Sequence, residues 1–408
     1  SSSVRARPAS PYFSKRSEWL IVMKSERDIA PDVLRGFALF GILVVNIPFM
    51  ALSSENGARG EYVQGALNGS VALLMLALFA GKFYLLFSFL FGFSSGYIVK
   101  NERRNRWRWV RRCIVLMAMG GLHFTFLWHG DILFMYGAFG LLLIPFLFRT
   151  DRTLKIWTRI IYSISSTILI VLGTLIYVAE RYFPEESNAT LPDSGLDEVL
   201  RNSSFLESIA PRVDLWVWGV LGAGLILQGG FAFAAFLYGL RTQRSGFLKE
   251  PFDTQHISRM IKNGLIFGLP IQVVCAAIAI RNEQSADVSE AIHIVTLFFA
   301  FLAAPLLSMV YVGVLLKLIM TKPRLVAWMR PAGRMSLTVY IGESVLASLI
   351  FGPWGLGLFQ KLEIWVVMLI ALGIWLLLVW ASTQWLKRYS QGPLEWVVHQ
   401  LTRSRKAA

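Results

Sequence analysis

Charge, cysteine and histidine are all scarce in this chain. Only 16% of its 408 residues are charged, whereas a soluble domain carries about a quarter. With 55% hydrophobic residues, an ordinary water-soluble domain is excluded. The two cysteines, Cys113 and Cys275, both lie in apolar runs. They exclude a disulfide framework, and no metal site is expected from them. Acids are the scarcer charge, 25 against 40 basic residues, leaving a net +15. In a soluble protein that balance would suggest nucleic acid. Here the basic residues cluster in short loops between apolar runs, the positive-inside pattern, so no nucleic-acid partner is expected. An internal repeat of the kind that marks many transporters is also lacking.

Residues 1–22 are polar and basic, and SEWLIVM is too short for the apolar core of a signal peptide. They read as a disordered or non-native extension, with Met23 as the natural start. Residues 23–408 read as one transmembrane domain. A hydrocarbon core about 30 Å thick takes roughly 20 apolar residues as a helix. On that measure about ten spans are expected: 33–52, 71–99, 109–128, 131–148, 156–178, 215–240, 262–280, 291–317, 335–352 and 363–386. The fold class is therefore all-α, a polytopic helical bundle. The segments 100–112, 149–159, 241–250 and 317–330 and the tail are basic and fall on one side of an alternating chain. Both termini are then cytoplasmic. The other side carries 53–62, 281–290, 352–363 and the long loop 179–214, which holds eight acids against three arginines. In that loop, LDEVLRNSSFLESI reads as a short amphipathic helix against the outer mouth. The sequons at Asn68, Asn188 and Asn202 all fall on this side.

Several polar groups stand where lipid would penalise them. Lys82 lies near the middle of the run 71–99. A charge at a helix centre costs at least about 2.5–3.5 kcal/mol, so it should face the bundle interior and find a partner. Asn46 lies in the outer half of the first span. The hairpin GLHFTFLWHGDILFMYG (121–137) carries His123, His129 and Asp131, and the ninth span carries Ser336, Tyr340, Glu343 and Ser344. Their depths allow one polar chamber open to the outside. A histidine can act as a general base at neutral pH, a carboxylate can fix its tautomer, and a buried lysine can balance that carboxylate or stabilise an oxyanion. His123, Asp131 and Lys82 are the candidate catalytic residues, and Asn46, His129, Tyr340 and Glu343 the candidate substrate contacts. His plus Asp with no Ser or Cys nucleophile suits direct transfer to an acceptor. The bland reading is an ion pair that locks helices and a satisfied core histidine. His256, His293 and His399 are given no role. Gly92 and Gly96 form a GxxxG more suited to helix packing than to phosphate. The basic stretch 100–112 is either a topogenic patch or a dock for an anionic donor, with Arg111, Arg112 and Arg35 as its candidate contacts.

Four stretches, DVLRGFALFGILVVNI (32–47), KFYLLFSFLFGFSSGY (82–97), GLHFTFLWHGDILFMYGAFGLLL (121–143) and GRMSLTVYIGESVL (333–346), together resemble the YeiB-like bacterial inner-membrane proteins, a domain of unknown function. The resemblance runs from about residue 24 to the C-terminus. That family is similar at a distance to transmembrane acyltransferases such as heparan-α-glucosaminide N-acetyltransferase, which shares an RG-containing first span. The resemblance implies an acyl-CoA donor on one side, an acceptor on the other and a histidine between them. In the acetyltransferase that histidine follows the first span. Here that loop, SSENGARGEYVQGALNGS, has none, so the resemblance points to His123, with Asp131 as the GDIL aspartate. His129 and Glu343 stand where relatives commonly carry other residues. The expected function is acyl transfer to an extracytoplasmic or lipid-borne acceptor. The alternative is a transporter or exporter using Lys82, Asp131 and Glu343. A non-catalytic scaffold is the third reading. The expected partners are membrane lipids, a small-molecule or glycolipid substrate and a second copy in a homodimer, in the cell inner membrane.

Overall fold

The computed structural model describes residues 28–183 and 194–403. The extension 1–22, the sequon at Asn188 and the tail after 403 lie outside the described residues. Helices occupy all ten apolar runs, and no strand occurs among the described residues. They are α1 (Ile29–Ala51), α2 (Ala66–Leu78), α3 (Lys82–Val99), α4 (Arg106–Phe126), α5 (Leu133–Leu142), α6 (Asp151–Tyr182), α7 (Leu196–Asn202), α8 (Ile209–Ser245), α9 (Thr254–Glu283), α10 (Glu290–Thr321), α11 (Arg330–Arg334), α12 (Ser336–Phe351), α13 (Ile364–Trp385) and α14 (Pro393–Thr402). Among the described residues, seven helical stretches are long and apolar enough to cross a membrane. The α4 helix opens on four arginines, and α5 and α12 are shorter. The molecule is a helical membrane bundle.

The expected single span 71–99 is two helices. The α2 helix ends at Leu78, and Gly81, at φ 80°, turns the chain into α3. That φ favours glycine. Lys82 therefore opens a helix instead of sitting in the middle of one. The last carbonyls of a helix have no partner within it. Here Lys82 Nζ donates to Leu76 O at 2.8 Å, and Tyr311 Oη donates to Leu78 O. Ser308 Oγ donates to Lys82 O at 2.9 Å. The break is thus stitched to α10. The helix expected over LDEVLRNSSFLESI is also cut, since α7 stops at Asn202 and α8 begins at Ile209.

Small residues set the tightest crossings. Gly92 on α3 abuts the Phe236 backbone of α8, and Gly96 abuts Gln243, so the GxxxG serves helix packing. The LRG and GRM motifs meet at a second crossing, where Gly36 lies on Met329 and Gly333 on the Asp32 carbonyl. Beside them Asp32, fully buried, lies 3.0 Å from Arg35 and 3.9 Å from Arg330. These crossings fix the ends of α1, α3 and α12, and with them the groups that those helices carry.

Candidate functional site

A cavity of about 450 Å3 opens among α1, the α2–α3 break, the α4–α5 turn, α8, α9 and α10. That is the size of a small-molecule pocket. Its wall is mostly apolar. Asn46, His129 and Asp131 line it, as the sequence suggested. Lys82, His123, Tyr340 and Glu343 do not, which corrects the expectation of one chamber holding them all. Lys82 is fully buried and bonds to a backbone carbonyl, not to Asp131. The charge that it was to balance is held elsewhere.

Asp131 instead holds His123. Its Oδ2 lies 2.8 Å from His123 Nδ1, while its Oδ1 accepts from Phe134 N–H at 2.8 Å, capping the first turn of α5. His123 Nε2 lies 2.9 Å from Ser344 Oγ on α12. A carboxylate can only accept, so Nδ1 carries the proton and Nε2 accepts from the Ser344 hydroxyl. All three side chains are buried. The expectation of no serine beside the base is thereby corrected. Tyr340 packs its ring on His123, with centroids 5.1 Å apart, and its hydroxyl accepts from Ile132 N–H at 3.4 Å. Trp128 lines the cavity, and its ring centroid lies 6.4 Å from that of His123 with the ring planes steeply inclined. Glu343 is 2% exposed, with no partner for Oε1.

The three arginines proposed for a donor do not meet in the cavity. Arg35 is engaged by Asp32 and by Ser94 Oγ at 2.8 Å, whereas Arg111 reaches the Arg403 carbonyl at 3.5 Å. None of the three lines the cavity.

At the rim stands a cluster that sequence reasoning passed over. Arg59 Nε meets Glu283 at 2.8 Å, and its two terminal nitrogens meet Glu290 at 3.0 and 2.7 Å. His293 Nδ1 lies 3.1 Å from Glu283. The available signal was an arginine in a loop on the acid-rich side, where the positive-inside pattern has no use for one. Replacing Arg59 by alanine is expected to destabilise by about 2 kcal/mol, because buried Glu283 loses its main counter-charge, with a discount for the partly open site. Arg59→Lys should recover only part, since lysine cannot hold Glu290 through two nitrogens at once. Thermal melting of the two variants checks both.

His129 sits in the turn between α4 and α5, outside both helices. Burial, with Arg212 adding to it, pushes its pKa down to about 3. Its stabilising effect is full above the unfolded value near 6.5 and is lost as pH falls from there toward 3. Between pH 7.5 and 5, wild type should lose about 2 kcal/mol more stability than His129→Asn, a difference that paired melting curves would reveal.

These features define a multi-helix membrane protein with a buried His–Asp–Ser chain beside a largely apolar cavity. Residues 242–405 match a family described as a protein of unknown function (DUF418). The chain is 27% identical over 404 residues to "Uncharacterized protein YeiB" of Escherichia coli (strain K12), covering 92% of this chain and 96% of that protein. It is 28% identical over 407 residues to "Uncharacterized protein YxaH" of Bacillus subtilis (strain 168), covering 93% and 95%. A Bacillus acidopullulyticus protein, "Uncharacterized 39.9 kDa protein in amylase 3'region", is 27% identical over 381 residues, covering 92% and 93%. The chain is thus similar to the YeiB protein and its relatives over nearly its whole length, as the four sequence stretches suggested.

Proposed function

We propose that the protein is a membrane acyltransferase of the cell inner membrane, with both termini cytoplasmic, and that it moves an acyl group from cytoplasmic acyl-CoA to an extracytoplasmic or lipid-borne acceptor. The observation that carries this reading is His123 held between Asp131 and Ser344. The carboxylate fixes the tautomer and supports the imidazolium, and Nε2 is left facing a hydroxyl. In direct transfer the acceptor oxygen attacks the thioester carbonyl and gives its proton to Nε2. The carbon–sulfur bond breaks as that proton passes to the CoA sulfur. Ser344 Oγ occupies the place of such an acceptor hydroxyl. Arg111 and Arg112 of the basic stretch would hold the phosphates of CoA, while Arg35 is already taken by Asp32 and Ser94.

The test is binding of acetyl-CoA and of longer acyl-CoA to purified protein, read as a shift in melting temperature, followed by transfer to membrane acceptors. If no acyl-CoA shifts the melt, the reading fails. A carrier is the second reading, favoured by Glu343, a buried acid with an unsatisfied oxygen. It predicts proton-dependent flux in vesicles that is lost in Glu343→Gln.

A further inference from the structure

The cavity wall is apolar but not silent. Met75, Phe79, Phe83, Leu225 and Phe301 are among its many apolar lining residues. Four residues of the same wall each carry a buried side-chain atom with no hydrogen-bond partner among the described residues: Tyr84 Oη, Trp128 Nε1, Gln272 Oε1 and Ser54 Oγ. Ser54 and Gln272 are 1% exposed and Trp128 6%. Buried polar atoms are usually paired, so four orphans on residues of one wall leave hydrogen-bonding capacity that a ligand reaches once those side chains turn toward the void. Hydroxyl and amide groups can do so, since the orphans include donors and an acceptor.

Charge narrows the class. Arg59 is the sole lysine or arginine among the described residues on the wall. Two carboxylates, Glu283 and Glu290, already take its guanidinium. Glu55 and Asp131 add negative charge to the same wall. A phosphate or carboxylate headgroup would find no free cation and several acids. We infer that the cavity binds an uncharged amphiphile that carries hydroxyl groups, such as an acylglycerol, with its chain against Phe79, Phe83 and Leu225 and its polar end toward Ser54, Trp128 and Gln272. Under the acyltransferase reading this ligand is the acceptor, one wall away from His123. The binding itself stands whether or not transfer occurs.

A diacylglycerol bearing a photoreactive diazirine in its chain tests the inference on the full chain in phosphatidylcholine nanodiscs. Crosslinks should map to α2, α3 and the 216–229 segment of α8. Unlabelled dioleoylglycerol should compete, and dioleoylphosphatidylglycerol should not. Gln272→Leu, which removes the orphan acceptor while keeping its bulk, should weaken competition about fivefold. Ala276→Phe, on the cavity wall, should abolish the internal crosslinks. Equal competition by the anionic lipid would overturn the inference, as would crosslinks confined to outward faces such as that of α6. Failure of acyl-CoA binding with the internal crosslinks intact would sink the transferase reading and leave this one standing.

Discussion

His123→Ala is expected to lower acyl transfer about 10²–10⁴-fold with acyl-CoA binding retained, the range that a positioned general base supplies. Asp131→Asn should fall nearly as far. It can still accept from Phe134 N–H, but it no longer supports an imidazolium and it permits the wrong tautomer. Ser344→Ala separates two routes. If the acceptor attacks the thioester directly, the serine only holds the place of the acceptor hydroxyl. Transfer should then persist, while stability falls by about 1–3 kcal/mol because Nε2 is left buried and unpaired. If Ser344 Oγ takes the acyl group first, transfer should fall as far as in His123→Ala. An acyl-serine mass should then be trapped in wild type given acyl-CoA without acceptor. Loss of binding in His123→Ala would count against a base and favour a packing role for the ring.

The helices were legible because hydropathy dominates a membrane sequence: a run of about 20 apolar residues has few alternatives. The break before Lys82 was not. Lys82 aside, the run 71–99 stays apolar on both sides of the break, and Gly81 gives no periodic signal. What decides the matter is tertiary, because the Tyr311, Ser308 and Lys82 side chains satisfy the carbonyls that the break exposes. A lysine read as a charge seeking an anion is thus a donor closing a helix end, a role cations and donors fill at C-termini. The His123–Asp131 contact was legible, since both residues belong to one hairpin. Ser344 was not, because its approach to His123 depends on the rotation of α12 across 221 residues of separation. One step around that helix would have presented Glu343 instead. Asn46 and His129 were placed by depth alone, and depth proved enough to put them on the cavity wall.

The other large effect is expected at the crossing of α3 and α8. A Cβ on Gly239 would lie 2.0 Å from Phe89 O and 2.7 Å from Phe93 N, and one on Gly92 would lie 2.1 Å from Phe236 O. Both obstacles are backbone, so no rotamer change relieves them. The helices must separate along the whole interface, which small residues had let them form without a hydrophobic drive. Either alanine substitution should cost about 3 kcal/mol or more, the upper range for overpacking, and should reduce the yield of folded protein in detergent. Gly373→Ala on α13 is the counterpart, because nothing lies within 4 Å of its added Cβ. It should stabilise by up to about 1 kcal/mol through helix propensity alone. The opposite signs follow from what stands next to each glycine. A uniform loss across Gly92, Gly239 and Gly373 would mean that the close approach of α3 and α8 is not what holds the base and the cavity in register.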